Sequence, residues 1–178
     1  MSTPEKPMQA KLVIGLFTKD KSILPELTEQ IAGAYGAVDI VSPWFSFDYT
    51  SYYEPEMGGP LFRRVLAFEE LICQEDLPDI KLETNRIEGN FSQENRRRVN
   101  IDPGYMTPER FVLATGKNFT HRIYIGKGIY ADLTLIFTKN RFQTLDWTYP
   151  DYADNEMRSF LVLVRNRYMI KLKGCEKR

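Results

Sequence analysis

The chain has 178 residues, 43% apolar and 27% charged, and its 24 acidic and 24 basic residues cancel. One domain of this length buries about two-thirds of its unfolded surface, and a neutral chain has no global field to draw it to nucleic acid or an anionic membrane. The first ten residues lack the apolar core of a signal peptide and no apolar run approaches membrane-spanning length, so a cytoplasmic location is expected. Cys73 and Cys175 have no CxxC spacing and read as free thiols.

"MSTPEKPMQA" is polar and Pro-bearing. It reads as a flexible tail at 1–10, matched by a second at 173–178, around one globular domain at 11–172. "KLVIGLFT" is a short apolar run with β-branched and aromatic residues, hence a buried strand. "SILPELTEQIAGAYG" spaces Ile23, Leu24, Leu27, Ile31 and Ala34 as a helix, with Ser22 as N-cap and Gly36 as stop. "AVDIVS" is a second strand, limited by Pro43.

Residues 44–53, "WFSFDYTSYY", hold six aromatics in ten positions. They suit a segment folded over the core, or one wall of a ligand pocket or partner patch. In "LFRRVLAFEELI", Leu61, Val65, Phe68 and Ile72 fall on one helical face, with Arg63 and Arg64 off that stripe. "DLPDIKLETNRIEGNFS" reads as a helix with Pro78 in its first turn, although "DIKLET" also alternates as a strand would. "RVNI" is a strand and "DPGY" a turn; "TPERFVLATG" is a short helix between Thr107 and Gly116. Residues 120–148 form a three-stranded meander, and "NEMRSFLVLVRNRYMIKL" a final amphipathic helix, although its β-branched content also suits a strand. The class is therefore α+β, with a mostly antiparallel or mixed sheet and helices mainly on one face.

"HRIYIGKGIYADL" can be registered against itself, because opposed residues of an antiparallel pair share a face. A loop at Gly126–Lys127–Gly128 sets Ile125 against Ile129, Tyr124 against Tyr130, Ile123 against Ala131 and Arg122 against Asp132. Gly128 takes the left-handed position. Ile123, Ile125, Ile129, Ala131, Leu133 and Leu135 then look inward. Arg122, Tyr124, Tyr130, Asp132 and Thr134 form a polar-aromatic face, either a surface ion pair or a ligand platform. "GKG" here joins two strands, so it is no phosphate loop.

Arg96, Arg97 and Arg98 precede a strand whose alternation places Arg98 and Asn100 on one face. That pair suits a carboxylate or phosphate, against the plainer reading of a solvated charge run. Asp102 caps a Pro-Gly turn or serves as general base. His121, the one histidine, shares the apolar face with Ile123, and is either structural or catalytic. With carboxylates alone it makes a weak zinc set, so no metal ligand is assigned. No nucleophile motif is present.

Taken together, "FDYTSYYEPEMG", "LPDIKLETN", "RRVNIDPGYMTPERFVLATGKNFTHRIYIGKGIYADLTL" and "WTYPDY" resemble domain-of-unknown-function family 4416, from about Leu12 to Arg165. The resemblance implies a small single-domain bacterial protein and carries over no catalytic residue. A GTP-binding description attached to some members finds no Walker A loop or NKxD motif here.

The function these residues suggest is a small-ligand binding protein or enzyme acting on an anionic, phosphate- or carboxylate-bearing metabolite or nucleotide. Arg98, Asn100, Arg122, Tyr124, Tyr130 and Asp132 would bind the ligand, and Asp102 or His121 would move protons. These residues are expected to converge on one pocket walled by 44–53, because "RVNI" and "HRIYI" would be neighbouring strands of a strand–helix–strand unit. The alternative is a scaffold or homo-oligomer subunit, or a protein- or nucleic-acid-binding module using 44–53 and the arginine clusters. Neutral charge and the lack of an RNP1-type signature argue against nucleic acid. No residue names a cofactor.

Overall fold

The computed structural model describes residues 2–94 and 96–175. The strands are β1 (Ala10–Thr18), β2 (Val38–Val41), β3 (Phe45–Ser46), β4 (Phe62–Ile72), β5 (Val99–Met106), β6 (Arg110–Thr115), β7 (Arg122–Gly126), β8 (Ile129–Thr138) and β9 (Arg141–Thr144). The helices are α1 (Leu24–Tyr35), α2 (Glu54–Met57), α3 (Leu77–Asn90), α4 (Pro150–Ala153) and α5 (Asn155–Cys175). All nine strands join one antiparallel sheet in the order β2-β4-β1-β5-β6-β8-β7, with β3 on β4 and β9 on β8. The class is α+β.

β1 lies near the centre and is buried along its whole length. Its even side chains, Leu12, Ile14 and Leu16, pack against Leu27 and Ile31 of α1 and Ile80 and Ile87 of α3. Val13, on the other face, joins Val65 and Ala67 beneath Met157, Phe160, Leu161 and Val164 of α5. A strand covered on both faces reads as a continuous apolar run. The long helices thus cover both faces, two on one and α5 on the other. None of the described helices is long and apolar enough to cross a membrane.

α1, α3 and α5 form where helical spacing places them. Asp20 rather than Ser22 opens the α1 region: its carboxylate accepts the Ser22 N–H at 3.0 Å and caps a short 3₁₀ turn ahead of the helix. Gly36, at φ 85°, ends α1 as expected.

Three expectations give way. "LFRRVLAFEELI" is the strand β4, with Val65 and Ala67 toward α5 and Leu66 and Phe68 toward α1 and α3. Burial on both faces lets its apolar positions mimic helical spacing. "DPGY" continues β5 instead of turning. Pro103 is tolerated because β6 pairs only from Gly104 onward, so this part of β5 is an edge on that side. "TPERFVLATG" holds no helix: Thr107 N–H closes a turn on Arg110 O at 3.0 Å and β6 follows. Phe111 and Leu113 face α5 while Val112 and Ala114 face Leu77 of α3, so this run too is buried on both sides.

The meander holds, as do Arg122 opposite Asp132, Ile123 opposite Ala131 and Tyr124 opposite Tyr130. An irregularity after Tyr124 then sets Gly126, not Ile125, against Ile129. Lys127 and Gly128, both at positive φ, make the tight turn. Ile123, expected inside, is 71% exposed, because β7 is the outermost strand and of its residues Ile125 alone packs against the cluster of Leu77, Val112, Ala114 and Ile129.

At the chain ends, Gln9 O accepts the buried Tyr168 hydroxyl at 2.6 Å and Met8 O accepts Gln74 Nε2 at 3.0 Å, so residues 8 and 9 are held. α5 carries 173–175. The expectations of flexible tails at residue 1 and at 176–178 lie outside the described residues. Cys73 is a free thiol.

Candidate functional site

β5 pairs with β1 from Val99 to Met106 but with β6 only at Gly104–Met106. Beyond Leu113, β6 continues with β8 alone, and the sheet opens between Val99–Asp102 and Ala114–Thr115. Backbone groups at such an opening need other partners. α3 supplies them: Lys81 Nζ donates to Ile101 O and Glu88 Oε2 accepts Ile101 N–H, both at 2.8 Å. Two helix side chains stand where a strand would. Burial pushes the Glu88 carboxyl up from its ordinary value, against the Ile101 N–H and the nearby Lys81 and Arg97 charges.

The opening is a cleft of about 750 Å³, walled by the 47–53 segment, the β6 end at 113–117 and the 149–152 segment. Register decides which side chains enter it. Arg63, Phe17 and Asn100 oppose one another across β4, β1 and β5, as do Val65, Gly15 and Asp102 in the next row, so both rows share a face. Gly15 is needed for space: a Cβ there would lie 2.5 Å from the Tyr152 hydroxyl and 2.9 Å from Arg63 Nη1.

Arg63 occupies that space. Its guanidinium lies 5.0, 4.8 and 5.2 Å from the ring centres of Phe17, Phe47 and Tyr152. Nη1 donates to Asp102 Oδ2 at 3.2 Å, and Nη2 meets Asp151 Oδ2 at 2.7 Å in an ion pair without hydrogen-bond alignment. Burial pushes the Asp151 carboxyl up despite Arg63. The Tyr152 hydroxyl, also pushed up by burial, and Arg63 Nε have no hydrogen-bond partner. Asp102 keeps 28% of its side chain exposed and lines the cleft.

On the aromatic wall, Phe47 stacks on Phe17 at 4.3 Å and Tyr53 meets Phe17 edge-on at 4.7 Å. Burial moves the Tyr53 hydroxyl up to about 12. Tyr49 and Tyr52 stay exposed in front of this stack. The wall is tied down by Arg97, whose Nε and Nη2 grip Glu56 at 2.7 and 2.6 Å while Nη1 reaches Glu88 at 3.3 Å and Asn100 at 3.0 Å.

Of the residues singled out from sequence, Asn100 and Asp102 line the cleft. Arg98 leaves it to pair with Asp20 at 2.6 Å. Tyr130 and Asp132 on β8 lie beyond β6, and Arg122 and Tyr124 on β7 beyond both β6 and β8; the strand–helix–strand unit is absent. Asp132 is a buried anchor, accepting Arg122 Nε at 2.9 Å, with His121 Nε2 at 3.1 Å. Arg122 also donates from Nη1 to Lys117 O at 2.9 Å and from Nη2 to the Tyr149 hydroxyl. Its role is to brace two edges of the cleft. His121 precedes β7 and turns to the Asp132 side, not the apolar one, stacking on Trp147 at 5.0 Å. Tyr124 and Tyr130 pack edge-to-face at 5.4 Å outside the cleft. The two arginine clusters stay apart: Arg63 is buried and Arg64 lies over Trp44 at 4.9 Å, while Arg96, Arg97 and Arg98 line a separate pocket with Lys19, in which Arg97 and Arg98 are ion-paired.

Sequence reasoning missed Arg63, Asp151 and Tyr152. Read with a period of two, "FRRVLAF" sends Arg63 inward with Val65, and "WTYPDY" places an acid between two tyrosines. No group of three or more His, Cys, Asp or Glu among the described residues could hold a metal ion. No curated protein and no solved structure matches the chain. A family model does match, over residues 8–168, and by that match the chain belongs to the domain of unknown function DUF4416.

Proposed function

We propose that the protein binds an anionic small molecule in the opening between β5 and β6. The observation that carries this reading is the opening itself. Ladder bonds are forgone in mid-sheet, and Lys81 and Glu88 replace them at Ile101. Its volume falls in the range of about 300–1,000 Å³ of small-molecule sites. Four basic side chains, Arg63, Lys81, Arg97 and Lys117, line it against three acidic ones, Glu88, Asp102 and Asp151, which leaves one positive charge in excess. For chemistry on the ligand, Asp102 is the group placed for proton transfer, partly open and oriented by Arg63.

The test is a thermal-shift panel of nucleotides, sugar phosphates and dicarboxylates, run on the wild type and on Gly116→Phe. Gly116 lines the cleft, and a Cβ there meets nothing within 4 Å, so the new ring fills the site without straining the fold. Stabilisation of the wild type alone supports the reading. Equal stabilisation of both proteins places the ligand elsewhere.

A further inference from the structure

The cations of the cleft differ in what they already hold. Arg63 lies between Asp102 at 3.2 Å and Asp151 at 2.7 Å. Arg97 is taken by Glu56 at 2.6 Å and Glu88 at 3.3 Å. Lys81 is buried on Ile101 O at 2.8 Å. Lys117 is the exception: it is exposed at the mouth and has no carboxylate partner among the described residues. Three carboxylates line the same space, so a second or third negative charge on the occupant would meet repulsion without a free cation to offset it.

The aromatic wall supplies an independent constraint. Lys117 Nζ lies 5.0 Å from the centre of the Tyr52 ring, which is 66% exposed. Tyr52 is braced edge-on by Tyr53 at 4.9 Å, and Tyr49 edge-on by Phe47 at 6.3 Å. Both tyrosines keep exposed ring surface on which another ring can stack, with Lys117 over one face of Tyr52. The unpaired cation and the exposed rings are adjacent.

Resting on the reading of the cleft as a ligand site, we infer that its occupant is a planar aromatic ring carrying a single acidic group. The ring lies against Tyr49 and Tyr52, and the acid on Lys117. The acid is a carboxylate, which brings one negative charge to the one ammonium, whereas a phosphate monoester is largely dianionic at neutral pH.

The inference is tested by calorimetric titration of the full chain with naphthoate, naphthyl phosphate, cyclohexanecarboxylate, naphthalenemethanol and a naphthalene trisulfonate. Naphthoate should bind about tenfold more tightly than cyclohexanecarboxylate and than naphthalenemethanol, and more tightly than naphthyl phosphate. Lys117→Ala should erase the preference for acid over alcohol, and Tyr52→Leu the preference for aromatic over alicyclic acid. If cyclohexanecarboxylate matches naphthoate, or naphthyl phosphate or the trisulfonate binds more tightly than naphthoate, the inference is overturned; the cleft reading survives if Gly116→Phe still abolishes that binding. If no probe binds in a manner that Gly116→Phe removes, the inference falls, and the cleft reading is decided by the nucleotide, sugar-phosphate and dicarboxylate panel.

Discussion

Arg63 reaches from β4 to Asp151 at 2.7 Å, joining the sheet to the short helix α4 beneath a cage of three aromatic rings. Neither charge has water to fall back on. Removing one partner of a buried pair leaves the other uncompensated, which costs about 3–5 kcal/mol. Arg63→Leu should therefore lose that much in urea unfolding, and adding Asp151→Asn should recover part of it. A loss below 1 kcal/mol would mean that solvent reaches the pair.

Tyr152→Phe should have the opposite sign. The hydroxyl is buried without a hydrogen-bond partner, so deleting it removes a desolvated dipole and stabilises by about 1 kcal/mol. The same hydroxyl is what a Cβ at Gly15 would strike. Gly15→Ala alone should cost about 1–3 kcal/mol, and much less in the Tyr152→Phe background. A double-mutant cycle from denaturant melts measures the coupling.

Glu88 gives the pH prediction. Burial raises its carboxyl above the ordinary 4.5, so the folded state holds a proton that the unfolded state has released. The stability contributed by this group is full below 4.5 and declines as pH rises through the folded-state value. Gln mimics the protonated form. The stability advantage of wild type over Glu88→Gln should narrow from pH 4 to pH 7 in thermal melts; a widening gap contradicts the burial argument.

Arg122→Ala should act on the frame of the cleft. It deprives the buried Asp132 of a partner and frees Lys117 O and the Tyr149 hydroxyl together. The expected loss is about 2–4 kcal/mol, with faster amide exchange at 116–122 and 147–150. Unchanged exchange in either segment would remove the bracing role.

The hairpin at 122–132 was legible in its three outer pairs because its information is local, with facing pairs and a turn within eleven positions of sequence; the bulge at Ile125 and the exposure of Ile123 were not. So were α1, α3 and α5, whose apolar stripes persist over three or more turns. β4 and β6 were not, because a strand buried on both faces loses its alternation and a short apolar run fits a helix equally well. The candidate site was half legible for the same reason. Asn100 and Asp102 sit on a strand whose polar face shows in the sequence, whereas Arg63 lies on the misread β4. Arg122 and Asp132 were correctly paired with each other but placed beside β5, and strand order depends on contacts that no local pattern carries.

The Ile101 amide donates to a helix side chain instead of a neighbouring strand. Its proton therefore exchanges when α3 lifts from the sheet, even while the β1–β5 ladder stays closed. That single resonance separates undocking of the cleft floor from global unfolding. A ligand that presses on the floor would slow it, and a ligand held only at the mouth would leave it unchanged.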